Sequence, residues 1–160
     1  MPETLGMQKE VEQYRSRLGD LYSTIKRWLQ TREPDAALSE SRVDLVEEAA
    51  GPYHVKSLEL ARPGKPAIRF IPRGIFVVGA HGRVDAHSRL GREILVWVAK
   101  GGPALRTEVS VAGQKEIEQI TRSLYPGVDE GWAWADEQHQ KLSHLTEEVF
   151  WDKIIASLSE

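Results

Sequence analysis

Residues 43–78 read VDLVEEAAGPYHVKSLELARPGKPAIRFIPRGIFVV, and turn residues cut this stretch into short apolar-rich runs. Residues 43–49 stop at Gly51-Pro52, 53–61 at Arg62-Pro63-Gly64-Lys65-Pro66, and 67–71 at Pro72-Arg73-Gly74. Proline lacks a backbone N–H and glycine reverses the chain cheaply, so each break ends a strand and predicts a hairpin. The unbroken apolar runs at 75–78 and 93–99 (EILVWVA) suit the middle of a sheet covered on both faces. Residues 105–111 alternate apolar and polar, the pattern of a strand with one wet face.

Helices flank this strand-rich centre. Met7, Val11, Tyr14, Leu18, Leu21, Ile25 and Trp28 follow a 4-3-4-3-4-3 spacing that puts them on one stripe of a helix. Such a stripe serves either to dock on the chain's own sheet or to form a homodimer through the N-terminal helix; Gly19 weakens the helix interior and favours docking. Residues 31–41, with Pro34, read as the linker that ends this helix. A second helix is expected over 114–124, closed by Pro126-Gly127, followed by a short piece carrying Trp132 and Trp134 that packs beneath the last helix. That last helix has Thr146 as N-cap, Glu147 and Glu148 in its first turn, and Leu145 placed to staple against Phe150. Its inward face is Phe150, Ile154 and Leu158 with Trp151 and Ile155. The expected fold is a single α+β domain over 1–160: a largely antiparallel sheet of about six strands, a long N-terminal helix and two C-terminal helices.

Composition narrows the functions. No apolar run approaches the ~20 residues of a membrane span. The chain has no cysteine, which excludes a disulfide framework, a thiolate zinc site and a cysteine nucleophile. No basic segment followed by an apolar one opens the sequence, so a cytoplasmic location is expected. GxSxG, the P-loop, GxGxxG, HExxH and the EF-hand loop do not occur, and no cofactor is expected.

Charge is the informative feature. Residues 62–92 carry seven basic side chains (Arg62, Lys65, Arg69, Arg73, Arg83, Arg89 and Arg92) against one acidic, Asp85, whereas 113–160 carry four basic against ten acidic. The formal net charge of −3 conceals this polarity. Arginine forks onto carboxylate or phosphate, so the basic strip points to an anionic partner, unless the acidic C-terminal third neutralises it. Within HGRVDAHSR, His81, Arg83, Asp85, His87 and Arg89 stand at every second position and would share one face of an extended chain. Arg73, His81, Arg83, Asp85, His87, Arg89 and Arg92 are therefore the candidate partner-binding residues, with Arg83 and Arg89 as anchors.

Two alternatives use other chemistry. Glu47, Asp85 and Glu93 could form an acidic centre for a metal-dependent nuclease or phosphodiesterase, although Leu95 stands where such a core would want lysine. Glu47 also reads as a structural hydrogen-bond acceptor. A nucleic-acid-binding accessory role would use the arginines alone, but no helix-turn-helix, finger or aromatic RNA motif is present. His139 and His144 read as solvent-facing.

The phrases GPYHVKSLEL, IPRGIFVVGAHGRVDA and LTEEVFWDKI resemble small bacterial proteins of the immunity or anti-phage-accessory kind. That resemblance implies a non-enzymatic module, of immunity, inhibitor or adaptor type, that acts by binding another protein with an acidic surface.

Overall fold

The computed structural model describes residues 2–75, 80–99, 104–105, 122–123 and 130–159. Helix α1, Pro2–Arg32, opens the chain. Strands β1 (Ala37–Glu47), β2 (Gly51–Ala61), β3 (Ile68–Gly74), β4 (Arg83–Ser88) and β5 (Gly91–Val98) follow. Two-residue strands β6 (Ala104–Leu105) and β7 (Arg122–Ser123) pair with each other, and β8 (Gly131–Asp136) and β9 (Lys141–His144) return to the main sheet. The chain ends in helix α2, which begins as Glu147–Val149, widens to π-type turns over Phe150–Ile155 and closes as Ala156–Ser159. The protein is thus α+β, with a seven-stranded sheet in the order β1-β2-β3-β4-β5-β8-β9, every neighbouring pair antiparallel.

The count of about six strands is low by one in this sheet, because residues 131–136 and 141–144 form a hairpin where the tryptophans suggested only a short piece. The linker is also shorter than expected. Residues 37–42 (ALSESR) belong to β1, leaving residues 33–36 to join α1 to the sheet. Residues 76–78 of the expected central strand, 106–111 of the alternating strand and 114–121 of the second helix lie outside the described residues. Arg122 and Ser123 pair as strand with Leu105 and Ala104, so the helix expected over 114–124 does not reach its predicted end.

Both helices lie on one face of the sheet. Val11, Tyr14, Leu18, Leu21 and Ile25 of the predicted stripe are buried, joined by Tyr22 and Leu29, against Leu58 and Leu60 of β2, Ile68 and Phe70 of β3, Val84 and Ala86 of β4, Leu95 of β5 and Trp132 of β8. The stripe docks on the chain's own sheet, which takes away the apolar seam that a dimer through this helix would need. Phe150, Trp151, Ile154, Ile155 and Leu158 of α2 complete the core as expected. Thr146 Oγ1 accepts the Val149 N–H at 3.1 Å and caps the helix.

Directional bonds fix α1 across the strands. The Tyr22 hydroxyl donates to the Lys56 carbonyl (2.6 Å), and the Tyr14 hydroxyl donates to the Arg83 carbonyl (2.6 Å) while accepting the Gly74 N–H (3.3 Å). The Trp132 indole N–H donates to the Arg17 carbonyl (3.0 Å), so this tryptophan is held by α1, not only by the last helix as the sequence suggested. Burial pushes the Tyr14 phenol well above its ordinary pKa, so the donor remains protonated.

Candidate functional site

Alternation along β3, β4 and β5 sends their remaining side chains to the face away from the helices. Register aligns them into rows: Arg69 of β3 stands opposite His87 of β4, which stands opposite Arg92 of β5. In the next row Ile71 faces Asp85 and Asp85 faces Ile94. Arg73 and Arg83 lie where the β3–β4 ladder slips between Pro72 and Gly74. That irregularity brings two guanidiniums to one carboxylate.

Asp85 is the hub. Its side chain is only 1% exposed, and it accepts hydrogen bonds from Arg83 Nε (2.8 Å), Arg83 Nη2 (3.2 Å) and Arg73 Nε (3.0 Å), with Arg92 Nη1 at 4.0 Å. Burial raises the cost of its charge, yet the arginine hydrogen bonds and their positive charge outweigh this and hold the carboxyl below the usual range. The bond to Asp85 in turn pushes the Arg83 guanidinium up. Arg73 and Arg92 remain about half exposed, at 51% and 46%, so Asp85 orients these groups without covering them. Arg69 and His87 are exposed beside them. Asp85 therefore anchors three of the cations, Glu59 of β2 stands opposite Arg69, and Glu137 acts on Arg83 through its charge, so Arg69, Arg73, Arg83 and Arg92 outnumber these three carboxylates by one. Among the described residues no carboxylate of α2 pairs with this face.

Other residues of the basic strip lie elsewhere. Arg62 is buried, donating to Glu33 at the end of α1 (3.2 Å) and to the Ser159 hydroxyl of α2, and so ties the two helices together. Arg89 sits in the exposed turn between β4 and β5, at the rim of the face. His81 does not join it. β4 begins at Arg83, so the every-second-residue pattern holds only for Arg83, Asp85 and His87. The His81 N–H donates to the Trp97 carbonyl (2.8 Å), its ring meets the Trp97 ring edge-on at 6.2 Å, and Arg17 of α1 stacks on that same ring at 3.5 Å, which places His81 toward the helix side. Gly82 permits this turn: a Cβ there would lie 3.0 Å from the Tyr14 ring.

The acidic trio is not assembled. Glu47 accepts the Tyr53 hydroxyl and the Ile75 N–H (3.0 Å), closing the exit of β3 where Gly74, at φ +149°, leaves no room for a side chain beside the carboxylate. Glu93 faces the helices and accepts the Trp134 indole N–H (2.8 Å) and the Ser157 hydroxyl (2.7 Å). It pairs in register with Ala86, so it projects from the face opposite Asp85. Among the described residues no group of three or more histidine or acidic side chains could hold a metal ion.

Several residues of consequence carry no signal in the sequence: Tyr14, Tyr53 and Arg17 look like ordinary members of a helix or strand. His139 is exposed, as expected, but its ring Nδ1 lies 2.8 Å from Asp136 Oδ2, a bond within the β8–β9 turn. A cleft of about 710 Å³ opens between α1 and the β1–β2 turn, lined by Glu12, Arg15, Tyr53 and His54 among others, away from the basic face. Among the described residues no helix is long and apolar enough to cross a membrane. Comparison with protein-family models, curated proteins and solved structures gave no match.

Proposed function

We propose that this protein is a non-enzymatic binding module of immunity, inhibitor or adaptor type that grips an acidic protein surface with the outer face of β3, β4 and β5. The observation that carries the reading is Asp85, a buried carboxylate that fixes the forks of Arg73 and Arg83 while leaving Arg73, Arg92 and Arg69 open. Guanidiniums held in place lose less rotational freedom when they meet a carboxylate, which favours binding. Their spread over three strands, each ~4.8 Å from the next, suits an extended surface better than a small molecule. The predicted anchor Arg83 becomes a positioning residue on this reading, since its guanidinium is engaged by Asp85, and contact falls to Arg69, Arg73, Arg92 and Arg89 at the rim. A cytoplasmic location accords with the absence of cysteine.

Fluorescence anisotropy against a labelled glutamate-rich peptide, and against single- and double-stranded oligonucleotides of matched charge, tests this directly. The reading expects the peptide to bind with an affinity that falls as salt rises, and the oligonucleotides to bind more weakly. Stronger oligonucleotide binding, abolished by Arg69→Gln with Arg92→Gln, would replace it with the nucleic-acid role. No binding to any of the three would contradict it.

A further inference from the structure

β1 stands first in the sheet order and, among the described residues, pairs along Ala37–Glu47 with β2 alone. Among the described residues no strand pairs with its other edge, which runs along a strand of 11 residues, well beyond the common length of ~5–6. Such an edge is a template for another strand, and proteins usually blunt it with proline, a bulge or lysines. β1 contains no proline and no lysine, and its register with β2 runs without a shift.

The charges on β1 are also self-complementary. Arg42 and Asp44 are two residues apart, hence on one face; both are strongly exposed, and within one chain Arg42 Nε donates to Asp44 Oδ1 at 2.9 Å, a pair that two copies would extend across the edge. In an antiparallel arrangement of two copies centred on Val43, each Arg42 stands opposite the other copy's Asp44. Centring on Arg42 or on Asp44 instead would set like charges opposite one another, which is unfavourable. Val46, at 79% exposure, lies on the same exposed row and would gain cover from the second strand. We propose that the protein forms a two-fold dimer through β1, Val43 against Val43, so that two sheets become one. The basic face, on β3 to β5, stays open in both copies.

Because the chain has no cysteine, a Val43→Cys variant can form a disulfide only between molecules. Directly opposed Cβ atoms ~4.5–5.5 Å apart are close to disulfide reach, whereas a Ser39→Cys pair in this register would be separated by roughly 27 Å. Mild oxidation should therefore cross-link Val43→Cys and leave Ser39→Cys single. In sedimentation the native chain, of 18.0 kDa, should run at twice that mass. Arg42→Asp and Asp44→Arg should each weaken association by about tenfold or more, and the two together should restore it. Equal cross-linking at Ser39 and Val43, or a native chain that stays monomeric at its highest soluble concentration, would overturn the proposal. Should the charge variants fail to fold, the cysteine pair decides alone.

Discussion

The two faces of the sheet treat polar groups in opposite ways. On the helix side, Tyr14, Tyr22, Trp132, Glu47 and Glu93 each meet an internal partner, and the surface around them is closed by α1 and α2. On the far side Asp85 meets Arg73 and Arg83 with Arg92 nearby, while Arg69, opposite Glu59 in register, and His87 stand exposed. A polar group that is bonded and buried contributes to holding the fold. A charge left in surplus on a rigid surface is available to something else. Mutations on the two faces should therefore separate stability from binding.

The largest effect is expected inside. Phe70 is fully buried and stacks near Phe150 at 6.5 Å between ring centres, so Phe70→Ala should cost about 3–5 kcal/mol in denaturant unfolding. Next comes the hub of the outer face. Arg83→Met leaves Asp85 buried with Arg73 as its one remaining close partner and should cost about 2 kcal/mol, whereas adding Asp85→Leu to that variant should recover much of the loss. The same site sets a pH dependence. Because Asp85 has a depressed pKa in the fold, its contribution is present above the unfolded carboxyl value and is lost as pH falls through the folded one. The stability gap between native protein and Asp85→Asn should therefore be widest near neutrality and should close in acid, as followed by thermal melts across that range.

Smaller still is Tyr14→Phe, which removes the bond to the Arg83 carbonyl and the acceptor of the Gly74 N–H, at about 1.5 kcal/mol. The smallest stability change, within about 0.5 kcal/mol, is expected for Arg69→Gln with Arg92→Gln, which removes two exposed charges without setting new carboxylates against Asp85, 4.0 Å from Arg92, or Glu59, opposite Arg69. A large loss of stability in this pair would erase the distinction between the faces.

How much of this was legible beforehand follows from periodicity. The α1 stripe, the cap at Thr146 and the inward face of α2 were readable because a long repeat and a local capping rule each leave a clear pattern. Tyr22 and Leu29 lay outside the strict stripe because a helix packed on a broad sheet buries a wider arc than a coiled-coil seam. The start of β1, residues 37–41, was misread as linker: Ser39, Glu40 and Ser41 are polar because the edge of the hairpin is wet, and apolar alternation begins only at Val43. The basic character of residues 62–92 was visible, but its division was not. Arg62 turns inward to Glu33, His81 turns toward Trp97, and Asp85 collects two guanidiniums across strands, all consequences of register that spacing along one chain cannot supply.

The most direct test of a basic face kept open by its own buried carboxylate is a paired measurement on Arg69→Gln with Arg92→Gln: melting temperature beside affinity for the glutamate-rich peptide. The account predicts an unchanged melting temperature and an affinity reduced by about thirtyfold or more, equivalent to ~2 kcal/mol. Unchanged affinity, or affinity lost only in step with the fold, would contradict it.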